Sequence, residues 1–237
     1  MFKQLFRAFK AASPLDEAYK RSFEMLDLTY EMFVKARKSL RESEDADPSI
    51  NINEMDIKVN KYERRVRRKV LRHLAISGSE DLYSGLVLTS IIIDLERIGD
   101  YTKNIVELAA NFPMKLLAPK HEQDLKKVEA AVEDIFKRSR RCFETGDAVD
   151  GEKLIRDYIW INPLCDEIVL NYVKTPNEKI TTSEAVTLAL YFRYLKRINS
   201  HLQNIVTSIV NPFDRIGFLP KDMKVGAKSK EGDFETG

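Results

Sequence analysis

Residues 91–108 read IIIDLERIGDYTKNIVEL, and the spacing of their polar side chains decides the fold. At about 100° per residue, Glu96, Asp100, Asn104 and Glu107 fall within about one quarter of a helix circumference. Thr89, Ile93 and Leu86 lie in the same sector one to three turns earlier, while Ile91, Ile92, Leu95, Ile98, Tyr101, Ile105 and Val106 cover most of the remainder. A helix apolar nearly all round is a buried one, so the polar ladder is expected along an inner face. Glu96 and Asp100 are like charges four residues apart, a repulsion of about 0.2–0.5 kcal/mol on an isolated helix. A shared cation can offset it, and so can a basic neighbour such as Arg97 or Lys103.

Working outward, 237 residues suffice for one large domain or two small ones. A chain 43% hydrophobic and 32% charged, with only 9 Gly and 8 Pro, predicts a charge-rich helical protein rather than a turn-rich β architecture. The net charge of +2 is too small to argue for nucleic acid. Cys142 and Cys165 form neither a disulfide framework nor a CxxC pair, which points to a reducing, cytoplasmic setting. No apolar run approaches the ~18–20 residues of a membrane span, and the N-terminus lacks the pattern of a signal peptide.

Six helices are expected. Ser13-Pro14 followed by Asp16 and Glu17 starts the first, which runs to about Leu40 with Tyr19, Phe23, Leu26, Tyr30 and Phe33 on one face. After a polar linker, the second spans about Ile52 to Ile76 on an Ile52, Met55, Val59, Tyr62, Val66 seam and breaks at Gly78-Ser79. The third runs from about Glu80 to Asn111 and ends at Pro113; the fourth runs from about Glu122 to Glu144. The fifth covers about Glu152 to Val173 with a bend at Pro163, and Thr182-Ser183-Glu184 opens the sixth, which reaches Val210. Before them, Phe2, Leu5, Phe6 and Phe9 form an amphipathic stripe in segment 1–13, suited either to folding back on its own chain or to a partner or an anionic membrane surface. Residues 219–237 are polar, the composition of a disordered tail.

The chain also matches itself. At an offset of 100, Leu95, Arg97, Ile98, Asn104, Ile105 and Val106 meet Leu195, Arg197, Ile198, Asn204, Ile205 and Val206. At 102, Glu31, Lys35, Glu42 and Asp45 meet Glu133, Lys137, Glu144 and Asp147, and Asn60 meets Asn162. The fold expected is therefore all-α, with two tandem three-helix bundles related by duplication at about 14–113 and 120–218. The second helix adds its own polar ladder, Asp56, Asn60 and Glu63. In the second copy Asp56 becomes Tyr158, Glu63 becomes Cys165, Glu96 becomes Lys196 and Asp100 becomes Ser200. Four carboxylates are replaced together, although a one-residue slide would bring Asp157 and Asp166 close to two of those places.

LERIGDYTKNIVELA resembles the signature of the PhoU family, the phosphate-uptake regulators, whose E-x-x-x-D motif sits on the third helix of each of two three-helix bundles. Glu96, Arg97, Gly99, Asp100, Asn104, Ile105 and Glu107 match it. The second copy, RYLKRINSHLQNIV, keeps Arg193, Leu195, Arg197, Ile198, His201 and Asn204 and departs at Lys196 and Ser200. The resemblance implies a cytoplasmic negative regulator that associates with a phosphate ABC transporter and a sensor histidine kinase. It also implies iron, zinc or another divalent ion on the acidic motif, and no catalytic reaction.

Carboxylates and amides without histidine suit hard or borderline cations, so the candidate metal ligands are Glu96, Asp100, Asp56, Asn60, Glu63 and Asn104, and the candidate ions iron, zinc, manganese and magnesium. An ordinary solvated helix face is the competing reading. A di-metal oxidase needs Glu-x-x-His pairs, and none of His73, His121 or His201 follows a Glu at that spacing. His201 reads as a packed core histidine, and Lys196 as an ammonium standing where a cation would sit, paired with an acid such as Asp157. The run ERRVRRKVLRH, with Arg64, Arg68 and Arg72 on one face, suits a solvated face, an acidic partner or anionic lipid; without interleaved aromatics nucleic acid is disfavoured. Two alternatives to a phosphate regulator stay open: a helical adaptor with no phosphate role, and a metal-binding bundle. A homo-oligomer is compatible with each.

Overall fold

The computed structural model describes residues 13–43, 51–77, 79–112, 114–174, 180–220 and 223. The Phe2–Phe9 stripe, most of the first linker, Gly78, Pro113 and the polar tail from 224 lie outside the described residues. Ser13 caps α1 (Pro14–Arg41) through a reciprocal box: its hydroxyl accepts from the Asp16 amide at 3.1 Å, and Asp16 accepts from the Ser13 amide at 2.9 Å. Then come α2 (Ile52–Ser77), α3 (Leu82–Asn111) and α4 (Glu122–Thr145). Gly146 closes α4 with a left-handed φ of 64°, a conformation that costs glycine little. The fifth expected helix is two segments, α5 (Ala148–Tyr158) and α6 (Ile161–Lys174), and α7 (Thr182–Val210) follows, capped by Thr181 and Glu184.

The break in the fifth helix lies at Ile159–Trp160, ahead of the bend expected at Pro163. Proline lacks the amide for an i−4 bond, so it is tolerated in the first turn of a new helix, which is where α6 places it. The Trp160 indole donates to the Asp157 carbonyl at 2.9 Å, satisfying one of the groups the break exposes.

Helices α1, α2 and α3 pack on one another, as do α4, α5–α6 and α7, giving two three-helix bundles with α5 and α6 counted as one broken helix. Leu95, Ile98 and Ile105 of α3 are fully buried, and so are Leu195, Ile198 and Ile205 of α7, so the repeat is one of packing as well as of sequence. The bundles meet along two seams. Tyr19, Phe23, Tyr30 and Phe33 of α1 lie against Phe136 and Phe143 of α4, with Phe33 stacked on Phe136 at 5.4 Å between ring centres. In the other seam α3 crosses α7 antiparallel: Asp94 accepts from Asn204 at 2.8 Å and bonds the His201 ring at 2.7 Å, while Tyr101 contacts Tyr194 and accepts from the Arg197 guanidinium at 3.1 Å.

At one end the two bundles share a buried ion network. Arg41 is 6% exposed and its partner Glu129 7%, at 3.0 Å. Arg41 also pairs with Glu122 at 2.6 Å and donates to the Leu116 carbonyl, and the Tyr191 hydroxyl donates to Glu129 at 2.7 Å. Burial raises the Glu129 carboxyl above its ordinary range, against the pull of Arg41 and Tyr191. Removing one member of such a pair leaves the other charged and dry, which costs far more than the pair itself contributes. Arg41→Met is therefore expected to lower stability by about 3–5 kcal/mol in urea denaturation, and Arg41→Met/Glu129→Leu to recover much of that loss.

Candidate functional site

The acidic ladder is built where α2 approaches α3. Gly99 makes the approach close: a Cβ there would lie 3.2 Å from Val59 Cγ1 of α2 and 3.8 Å from Thr29 Cγ2 of α1. Val59 is buried by this contact, and Asp56, Asn60 and Glu63 flank it on α2. Across from them Glu96 and Asp100 project from α3. Burial raises the Glu96 carboxyl above its ordinary range; the Asp100 charge and, more weakly, those of Glu63 and Asp56 push the same way, while Arg97 opposes them. Four of the six expected residues thus share one field. Asn60 joins them by donating to Asp56 at 3.3 Å. Asn104 lies half-buried one turn beyond Asp100, and among the described residues it makes no hydrogen bond to the four acids.

The ladder is a half-buried strip and not the inner face that its apolar surroundings suggested. Leu86 and Ile93, which share its sector, are 41% and 42% exposed. Helix α3 looks apolar nearly all round because α1, α2 and α7 pack on three sides of it, and the strip beside α2 is left open. Basic neighbours answer the acids: Arg97 lies 3.1 Å from Asp100 and 3.6 Å from Glu96, Arg67 lies 2.8 Å from Glu63, and Lys103 lies 3.9 Å from Asp56. Among the described residues, no three His, Cys, Asp or Glu side chains gather into a group that could hold a metal ion.

The second copy solves the same problem differently. Lys196, at the Glu96 position, places its ammonium 2.7 and 2.5 Å from the two oxygens of Asp166. Asn162 donates to Ser200, at the Asp100 position, at 3.0 Å and accepts from Asn199 at 3.0 Å. The partner of Lys196 is thus Asp166 and not Asp157, which pairs instead with Arg138 at 2.8 Å. The helix break accounts for this: Asp157 ends on α5, whereas Asp166 follows Asn162 by one turn of α6 and faces α7 with it. Cys165, at the Glu63 position, is buried and its thiol is pushed up to about 12, chiefly by that burial, which disfavours the thiolate a metal needs.

Sequence reasoning did not find Asp94 or its bonds to His201 and Asn204 across the seam. The signal was present, because Asp94 follows Ile91-Ile92-Ile93 directly, and a half-buried carboxylate among apolar side chains must find donors.

A pair of three-helix bundles joined by an antiparallel seam, with a polar ladder on the third helix of each, defines a duplicated three-helix-bundle protein. Residues 23–109 match the family model described as the PhoU domain. It is 24% identical over 179 residues to the phosphate-specific transport system accessory protein PhoU homolog of Pseudomonas aeruginosa, across 70% of this chain and 71% of that one. The crystal structure of PhoU from Pseudomonas aeruginosa has the same fold, with a TM-score of 0.71 at 20% identity over 83% of this chain and 95% of that chain. The phosphate transport system regulatory protein PhoU from Streptococcus pneumoniae shares it too, with a TM-score of 0.73 at 18% identity over 89% and 95%.

Two outcomes check this geometry. Alanine at Gly99 gains about 1 kcal/mol of helix propensity, which offsets a displacement of a few tenths of an ångström at Val59, so Gly99→Ala should melt near the wild type. Gly99→Leu should lose about 1–3 kcal/mol by forcing α2 away. Lys196→Ala should cost about 0.5–1 kcal/mol at low salt and less at high salt, because its pair with Asp166 is partly solvated.

Proposed function

We propose that this protein is a non-enzymatic, cytoplasmic regulator of phosphate transport and phosphate-starvation signalling. It acts by contact with a membrane transporter or sensor kinase and binds one divalent cation on the first bundle. The match of residues 23–109 to the PhoU domain supports the first part, together with similar proteins named as accessory and regulatory proteins of phosphate transport systems. No helix of the described residues is long and apolar enough to cross a membrane, so contact with a transporter would be peripheral.

The observation that carries the cation is the contrast between the two copies. In the first, Asp56, Glu63, Glu96 and Asp100 line one strip, where burial and their mutual charges raise the Glu96 carboxyl; in the second, a lysine ammonium occupies the corresponding place. The donors are all oxygens, which suits magnesium, manganese or iron better than zinc. Glu96 and Asp100 would hold the ion from α3 and Asp56 and Glu63 from α2, with Asn60 orienting Asp56. A bound cation would supply the charge that Arg97 and Lys103 now supply in part.

Protein prepared without chelators or a metal-affinity tag should carry about one equivalent of divalent metal by elemental analysis. Glu96→Gln/Asp100→Asn should carry none, and Lys196→Ala should leave the content unchanged. No metal after reconstitution with iron, manganese, zinc and magnesium would rule out the cation. Failure to co-purify with the phosphate transporter or its kinase from membranes would favour a helical adaptor without a phosphate role.

A further inference from the structure

Helix α2 buries Val59, Val66, Val70 and His73 against its own bundle and turns its opposite side fully outward. On that outward side Lys58, Lys61, Arg64, Arg65, Arg68 and Arg72 fall within an arc of about 120°. All six are exposed, along four turns of one helix, in a chain whose net charge is only +2. Among the described residues none of the six has a carboxylate partner. The basic residues of this helix that do face a carboxylate are Arg67, Lys69 and His73, which sit off the arc. Arg64 donates only to the Asn60 carbonyl within its own helix, and Lys58 lies over the Tyr62 ring. Glu54, at the start of the helix, is the one acid on the arc.

On this arc or at its edge stand aliphatic side chains that water does not favour. Ile57 is 62% exposed, Leu71 71% and Ile76 84%. Ile57 and Ile76 stand at the two ends of the basic run, and Leu71 between Arg68 and Arg72. The residues between are long cations with flexible aliphatic stems, which can lie along an apolar boundary while their charges stay in water. Single-stranded nucleic acid would call for aromatic rings on which to stack bases, and duplex readout for amides or hydroxyls that reach base edges. The arc from Ile57 to Ile76 carries neither. It is also a convex ridge about 39 Å long, the shape of a helix lying along a flat surface.

We propose that the outward face of α2 is a docking surface for an anionic lipid bilayer, with the six basic residues at the headgroups and Leu71 and Ile76 entering the interface. This goes beyond the regulatory reading and needs neither a transporter nor a bound cation. Each basic residue near such a surface strengthens binding about fivefold, so removing three should weaken it by about 100-fold.

The test is co-sedimentation of the full-length protein with vesicles of phosphatidylcholine and phosphatidylglycerol (3:1), against phosphatidylcholine alone, with EDTA present. Binding is expected to the anionic vesicles only and to fall steeply with salt. Arg64→Glu/Arg68→Glu/Arg72→Glu should lose it by at least about 100-fold while keeping the wild-type circular dichroism, and Leu71→Ser/Ile76→Ser should weaken it several-fold. Lys61→Gln/Arg65→Gln, milder substitutions on the same arc, should weaken it by about 25-fold and serve if the triple variant does not fold. The proposal is overturned by no binding to anionic vesicles, by equal binding to phosphatidylcholine, or by loss of binding in EDTA. It is equally overturned if the α2 variants bind as well as the wild type, which would move the contact to another surface, or if a labelled DNA duplex competes the protein off the vesicles.

Discussion

Asp94 sits where the two long central helices cross, and it holds a residue pair from the other bundle: the His201 ring and the Asn204 amide both reach it across the seam. A carboxylate in that position is half-buried between apolar layers, so it must be satisfied from the opposite bundle or not at all. The crossing sets the angle at which α3 meets α7, and every other helix packs on one of those two. Tyr101 extends the same contact by a further two turns, against Tyr194 and Arg197. At the far side Arg41 and Glu129 do for the α1–α4 end what Asp94 does for the centre, with polar groups that can be paired only when both bundles are in place. Such pairs add little net stability, but they penalise every alternative docking of the bundles.

Within the first bundle a missing side chain matters as much as a present one. Because Gly99 has no Cβ, Val59 can approach α3 until the acids on either side of it feel one another. Crowding of like charge is unfavourable on its own, and the bundle tolerates it because the strip is only half-buried and Arg97, Arg67 and Lys103 stand beside it. The second copy has Asn199 where the first has Gly99, and its polar residues are linked by neutral hydrogen bonds and one ion pair. The two strips descend from one pattern and have become chemically opposite: one rich in negative charge, the other nearly balanced.

Most of the fold was legible in the sequence because the signals were local and strong. The capping residues at Ser13, the seam on Val59 and Val66 and the self-match of α3 with α7 each act over a few residues, and each matches the structure. What could not be read depends on contacts between distant residues. The exposure of the acidic strip follows from which three sides of α3 receive neighbours, and no periodicity within α3 tells its open side from its covered ones. Likewise Lys196 was legible as an ion-paired lysine, but the choice of Asp166 over Asp157 was made by a helix break three residues earlier than the proline implied.

That break also makes the two halves mechanically unlike. In the first bundle α2 is one uninterrupted rod of 26 residues, about 39 Å from end to end. Its counterpart is split at Ile159–Trp160 into pieces of 11 and 14 residues. An unbroken helix carries an axial displacement along its whole length, because each turn is hydrogen-bonded to the next. A helix with a gap in that ladder absorbs the displacement at the gap. The first half thus has the stiffer second helix of the two.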